Sequence, residues 1–136
     1  MAYSLDGVNW TAMTNPLGKK NNITNIAYGN GKYVVLGYGN MAYSDGIDWI
    51  VAASFIYVPI FSSIGNDSNG IAYGDGKLVA VGTGGKMSYS PDGITWITIA
   101  DSTFGLSDIN DIVYANGKFV AVGSDGKMAY WDGTVE

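Results

Sequence analysis

Aspartate is the only side chain in this sequence that pairs closely enough to support acid–base chemistry. Asp45 with Asp48 and Asp108 with Asp111 each place two carboxylates near one another, the groups that a glycosidase uses as acid and nucleophile. The residues that usually complete such a site are missing. There is no His, no Cys and no Arg, and the single Glu is Glu136. A Ser or Thr hydroxyl therefore has no imidazole to activate it. Asp45 lies in a Ser-Asp-Gly turn and Asp108 just ahead of an expected strand, so both pairs are assigned to turn and loop structure. No catalytic residue is expected, and an Asp-based glycoside hydrolase is the least supported reading. Asn66-Asp67-Ser68-Asn69 and Asp108-Ile109-Asn110-Asp111 are rich in oxygen, but neither follows a calcium-loop pattern. No metal and no cofactor are expected. Three Asn-x-Ser/Thr triplets, at Asn9, Asn22 and Asn66, are assigned to chance in a chain this rich in those residues.

The elements that would position any site recur. Ile71 to Gly82 matches Ile112 to Gly123 at eight of twelve positions, and matches Ile26 to Gly37 at eight of twelve. Beside each copy stands a second element: Met41-Ala42-Tyr43-Ser44, Met87-Ser88-Tyr89-Ser90 and Met128-Ala129-Tyr130, with a further Met1-Ala2-Tyr3-Ser4 at the start. The methionines are 40, 46 and 41 residues apart, a period typical of propeller blades. Each repeat reads as four antiparallel strands. The first covers 23–29, 69–74 and 109–115, and the second 32–37, 77–82 and 118–123. The third is the Met-x-Tyr-Ser element, and the fourth carries the Trp at 8–13, 47–53 and 94–100. Asn30-Gly31, Asp75-Gly76 and Asn116-Gly117 separate the first two strands; both central residues of a type I′ hairpin turn need positive φ, which Asn, Asp and Gly tolerate. No segment keeps a 3.6-residue period, so helix is expected only as single turns.

The third and fourth strands are joined by Ser4-Leu5-Asp6-Gly7-Val8-Asn9-Trp10, Ser44-Asp45-Gly46-Ile47-Asp48-Trp49 and Ser90-Pro91-Asp92-Gly93-Ile94-Thr95-Trp96. These segments resemble the Asp-box of bacterial sialidase-type repeats, one residue short between Asp and Gly and shorter again in the second copy. The resemblance implies an all-β propeller, in which Ser, Asp and Gly stabilise the turn and the Trp packs over the hairpin. Sialidase activity does not follow from it. That chemistry uses an Arg cluster, a Tyr nucleophile and a Glu partner, and no residue here takes those roles.

Bulk composition narrows the partners. With 47% apolar and 14% charged residues, the chain has enough apolar surface to offset the entropy of folding. A net charge of −5, carried against lysines alone, argues against nucleic acid, since the bidentate guanidinium reader is missing. No apolar run reaches membrane-span length, and because Met1 falls inside the repeat no signal peptide is expected.

A single domain over 1–136 is expected, with blades at about 23–53, 69–100 and 109–136, the last completed by residues 1–13 of the same or a partner chain. Three blades are too few to close a ring. The expectation is a homodimer closed as six blades by strand exchange, in which residues 127–131 and 1–4 compete for one slot. A non-catalytic, lectin-like or protein-binding module is the leading functional reading; a purely structural unit, or a piece of a larger propeller, is the second. Any ligand is expected on the face carrying the longer loops. There Tyr38, Asn40, Tyr57, Phe61, Lys20 and Asp125 offer rings for stacking and polar groups for hydrogen bonds. The apolar segment 54–61 serves either as a contact surface or as a plug.

Overall fold

A computed structural model describes residues 1–19, 21–37, 41–46, 48–51 and 68–132. Among these the chain forms thirteen strands and two single 3-10 turns. The strands are β1 (Ala2–Tyr3), β2 (Thr11–Ala12), β3 (Ile23–Gly29), β4 (Lys32–Gly37), β5 (Met41–Ser44), β6 (Trp49–Val51), β7 (Ser68–Gly74), β8 (Lys77–Gly82), β9 (Met87–Ser90), β10 (Ile97–Thr98), β11 (Ile109–Ala115), β12 (Lys118–Gly123) and β13 (Met128–Trp131). Sheet one runs β3-β4-β5-β6 and sheet two β7-β8-β9-β10, while sheet three has β11-β12-β13 and β1-β2 stand apart as a ribbon. All pairings are antiparallel.

The repeat in the sequence is a repeat in geometry. Each first strand carries one register shift at the same place, between Ile23 and Asn25, Ser68 and Gly70, and Ile109 and Asp111. Such a bulge adds local twist. Asn30, Asp75 and Asn116 adopt φ of 49–52°, as the type I′ hairpins require. The first and second strands and the Met-x-Tyr elements fall where the sequence places them. The expected fourth strands at 8–13 and 94–100 are shorter, Thr11–Ala12 and Ile97–Thr98, and of the one at 47–53, residues 47, 52 and 53 lie outside the described residues. In the two shorter ones, backbone N–H groups that a longer ladder would use are bound by the side chain of the turn Asp, at Val8 and Asn9 and at Ile94 and Thr95.

The sheets pack face to face through apolar side chains from their second and third strands. Between sheets one and two lie Val34, Leu36, Met41, Leu78, Ala80 and Trp96. Between sheets two and three lie Val79, Val81, Met87, Phe104, Ile109, Ile112, Phe119 and Ala121. Where the first strands meet, hydrogen bonds cross the seams: Asn25 donates to the Asn69 carbonyl at 3.2 Å, Ser68 to Asn25 at 2.9 Å, and Asn69 to the Ile109 carbonyl at 2.9 Å. Two of the longer links each plant one apolar side chain in the fold, Leu17 and Phe104, both buried. Each rests against a glycine that ends a second strand, Gly37 or Gly123, where a Cβ would collide with the link.

Ser88 is the exception in this core. Its hydroxyl is fully buried without a hydrogen-bond partner, at a place where the other copies carry Ala2, Ala42 and Ala129. An orphaned buried hydroxyl costs about 1–3 kcal/mol of desolvation. Ser88→Ala is expected to stabilise the protein by about 1 kcal/mol, read as a higher urea midpoint with an unchanged slope.

Candidate docking surfaces

The first and third Ser-Asp-Gly turns along the chain are built alike. The Ser90 hydroxyl donates to Asp92 Oδ1 at 3.1 Å and accepts the Gly93 N–H at 2.7 Å. Asp92 Oδ1 accepts the N–H groups of Ile94 and Thr95 at 2.8 and 2.7 Å. Ser4, Asp6, Gly7, Val8 and Asn9 repeat every one of these bonds within about 0.1 Å. In the middle turn the Gly46 N–H donates to Ser44 at 3.0 Å. Gly7, Gly46 and Gly93 all have positive φ. Ser4, Asp6, Ser44, Ser90 and Asp92 thus hold the backbone of their turns.

Both outer turn carboxylates titrate low. At Asp6 the Asn9 N–H, then the Asn9 amide, the Val8 N–H and the Ser4 hydroxyl hold the carboxylate well below its usual range. At Asp92 partial burial acts upward as the largest single effect. The bonds from Thr95, Ile94 and Ser90 together outweigh it, and the net direction is down. A carboxylate depressed in the folded state is protonated first in the unfolded chain as pH falls. Its stabilisation is therefore present above the unfolded pKa and is lost as pH drops through about 4 and lower. Stability should fall on acidification below that point, and Asp92→Asn should flatten the profile. Urea midpoints measured between pH 6 and 2.5 check this.

What the identical turns carry differs. Trp96 is 7% exposed and its Nε1–H points at Met41 Sδ, 3.1 Å away. Its counterpart Trp10 is 64% exposed, beside Leu5 at 96% and Val8 at 80%. Trp49 is half-buried against Val35 and Ala42, with Met1 and Leu17. The ribbon β1-β2 thus has the finished form of an outer strand pair, while most of its apolar side chains face solvent.

The two ends of the three-sheet stack are apolar in a way the repeat explains. Ile71, Tyr73 and Leu78 of sheet two pack against sheet one; the equivalent Ile26, Tyr28 and Tyr33 of sheet one are exposed. Ala27, Leu36, Met41 and Tyr43 of sheet one pack against sheet two; the equivalent Val113, Val122, Met128 and Tyr130 of sheet three are exposed. One end carries the face that the other end lacks.

Two cavities lie beside these sheets, one at an end of the stack and one inside it. One, an open cleft of about 430 Å³, is lined by Met1, Tyr3 and Met13 in and beside the ribbon and by Ile26, Tyr33 and Trp49 in sheet one. The other, about 260 Å³, lies between sheets two and three and is lined by Val79, Met87, Ile112, Phe119, Ala121 and Trp131. Four of those, Val79, Met87, Phe119 and Ala121, are the repeat equivalents of the Val34, Met41, Leu78 and Ala80 that surround Trp96. In sequence register Glu136, outside the described residues, stands where Trp96 stands in the preceding repeat.

Of the ligand residues expected from the sequence, Lys20, Tyr38, Asn40, Tyr57 and Phe61 lie outside the described residues, as does the segment 54–61. Asp125 is described. It sits at φ 59° in the turn between β12 and β13 and accepts a 2.6 Å hydrogen bond from Ser107, which ties that turn to the preceding link. Asp108 accepts the Gly84 N–H at 2.8 Å and through its carbonyl the Ser124 N–H at 2.9 Å, and Asp111 accepts the Ile112 N–H at 2.8 Å. Among the described residues no three acidic, His or Cys side chains cluster as metal ligands, and no helix is long and apolar enough to cross a membrane. Sequence reasoning missed both cavities. The signal for them was present in the repeat: one lies where sheet one has only the ribbon beside it, the other where the third repeat carries Glu136 in the register of Trp96.

No protein-family model and no curated protein matches the sequence. Solved structures do match the fold. A structure of YCF48 bound to D1 peptide superposes with a TM-score of 0.71 at 17% identity, covering 97% of this chain and 44% of that one. YCF48 from Cyanidioschyzon merolae gives 0.65 at 16% identity, covering 89% and 40%. The WD40 β-propeller domain of Doa1 gives 0.57 at 12% identity, covering 85% and 39%. The fold is that of a β-propeller, and the chain spans less than half the length of these structures.

Proposed function

We propose that this chain is a non-catalytic propeller segment that works by docking protein surfaces, first those of a second copy of itself and then those of a further partner. The observation that carries the reading is the pair of apolar end faces, each the repeat equivalent of a face buried inside the stack. Two copies joined end to end would give a six-bladed ring and cover both faces, and a two-fold pair is the commonest closed assembly. The Ser-Asp-Gly turn geometry supports kinship with the Asp-box propellers. Absence of His, Arg and Cys from the sequence supports a binding rather than a catalytic role.

The further partner is proposed to be a protein or peptide held on the longer-loop face, with Tyr38, Asn40, Tyr57, Phe61, Lys20 and Asp125 as contact residues. A propeller of the same fold, about twice as long, has been solved bound to a peptide. Peptide and glycan arrays probed with the protein test this reading. Binding to peptides that is lost in Tyr57→Ser/Phe61→Ser supports it, whereas binding confined to glycans contradicts it in favour of a lectin role. Turnover of a glycoside abolished by an Asp→Asn change would contradict the non-catalytic assignment.

A further inference from the structure

The edge of β12 is a contested position. β13 now pairs with it, Val122 opposite Met128, Ala121 opposite Ala129, Val120 opposite Tyr130 and Phe119 opposite Trp131. β9 pairs with β8 in the same register, with Val81 opposite Met87 and Leu78 opposite Ser90. In sheets one and two the last residue of this third strand is a buried serine, Ser44 or Ser90, whose hydroxyl caps the turn glycine. In sheet three it is Trp131, which stacks on Phe119 with ring centres 5.7 Å apart and lies 5.6 Å from Tyr89. Trp131 therefore enters the intersheet space from the wrong strand and leaves the 260 Å³ cavity beside it. Residues 1–4, Met-Ala-Tyr-Ser, match β13 in the first three positions and restore the serine in the fourth.

We infer that β13 is a placeholder, and that in the assembled pair residues 1–13 of a second copy replace it on β12, with the second copy's Trp10 filling the cavity and Trp131 withdrawn. This rests on the proposed closure by a second copy and adds how the closure is made. A single exchange answers four features at once. It buries Trp10 among Val79, Met87, Phe119 and Ala121, as Trp96 is buried among their equivalents; a void of this size readily takes an aromatic ring. It gives sheet three a fourth strand, so that its outer edge is no longer left unpaired among the described residues. It brings Val120 and Val122 of the partner's β12 into the 430 Å³ space between the ribbon and sheet one, where Val34 and Leu36 lie in the next interface. Finally, it seats Ser4 where Ser90 sits, with the turn already formed. One position departs from the pattern. Gly29 and Gly74 receive the ring of the next Tyr, and a Cβ there would fall about 2.0 Å from it, but the third copy carries Ala115. Tyr28 of the second copy must sit displaced from its usual place, so Ala115→Gly is expected to tighten association.

The chain has no Cys, so engineered disulfides read the pairing without background. Tyr3→Cys/Val120→Cys should oxidise to an interchain disulfide. Val120→Cys/Tyr130→Cys should close within one chain, hold β13 in place and shift the protein to single-chain mass. Trp10→Ser should raise the dimer dissociation constant at least about thirtyfold, as loss of a buried interface anchor does. Trp131→Ser should lower it by about tenfold, by destabilising the competing state. A stable dimer in which Tyr3→Cys/Val120→Cys fails to crosslink, and Trp10→Ser leaves the dissociation constant unchanged, overturns the exchange while leaving closure by another contact standing. Single-chain mass for the unmodified protein at every concentration, or an intrachain disulfide in Tyr3→Cys/Val120→Cys, overturns both.

Discussion

Trp96→Ala is expected to lower the free energy of unfolding by about 4 kcal/mol, the usual cost of truncating a buried Trp. Trp96 is wedged between sheets one and two, among Val34, Leu36, Met41, Leu78 and Ala80, with its indole N–H on the Met41 sulfur. The gap left behind cannot close, because Gly93 in the same turn already lies against Val34 and Leu78, where even a Cβ would come within 3.1 Å of Val34 Cγ2. In a chain this size that corresponds to a melting temperature lower by roughly 15 °C. Trp10→Ala in the single-chain form, locked by Val120→Cys/Tyr130→Cys, should shift stability by less than about 1 kcal/mol, as surface changes usually do. The two Trp residues share sequence context and turn geometry, so the contrast measures intersheet packing alone. Equal losses at both positions would mean that the motif, and not its neighbour, supplies the stability.

Gly74→Ala is expected to cost about 3 kcal/mol through overpacking. A Cβ on Gly74 would lie 2.0 Å from Cγ of Tyr114. That ring atom is one bond from the Tyr114 Cβ, so the ring cannot swing clear without moving β11. Gly76→Ala, two residues on, is the control. Its Cβ meets nothing within 4 Å, but its φ is +72°, so only backbone strain opposes it, at about 1 kcal/mol. Chemical denaturation of the two variants should rank Gly74 well above Gly76. The reverse order would place the first strands further apart than the Tyr114–Gly74 contact requires.

These sites differ in how readable they were. Strand order and hairpins were legible because the signals are local: Asn30-Gly31 and Asp75-Gly76 fix a turn whatever surrounds them. The fourth strands were overestimated because periodicity does not show that the Asp6 and Asp92 carboxylates have taken the N–H groups needed to extend them. Repeat matching found Trp10 and Trp96 equivalent, which they are in geometry. It could not show that one is buried and the other bare, because burial depends on which sheet stands opposite. The same holds for Ser88, an unremarkable match to Ala42 in sequence and an orphaned hydroxyl in the packed sheet. Ligand identity left no local trace, since loop side chains obey no period.

The central claim is that three blades in one chain are half of a closed ring. Light scattering on the purified protein over a concentration series tests it most directly. The account predicts a concentration-dependent approach to twice the 14.4 kDa mass of one chain. A constant single-chain mass up to the highest soluble concentration would contradict it.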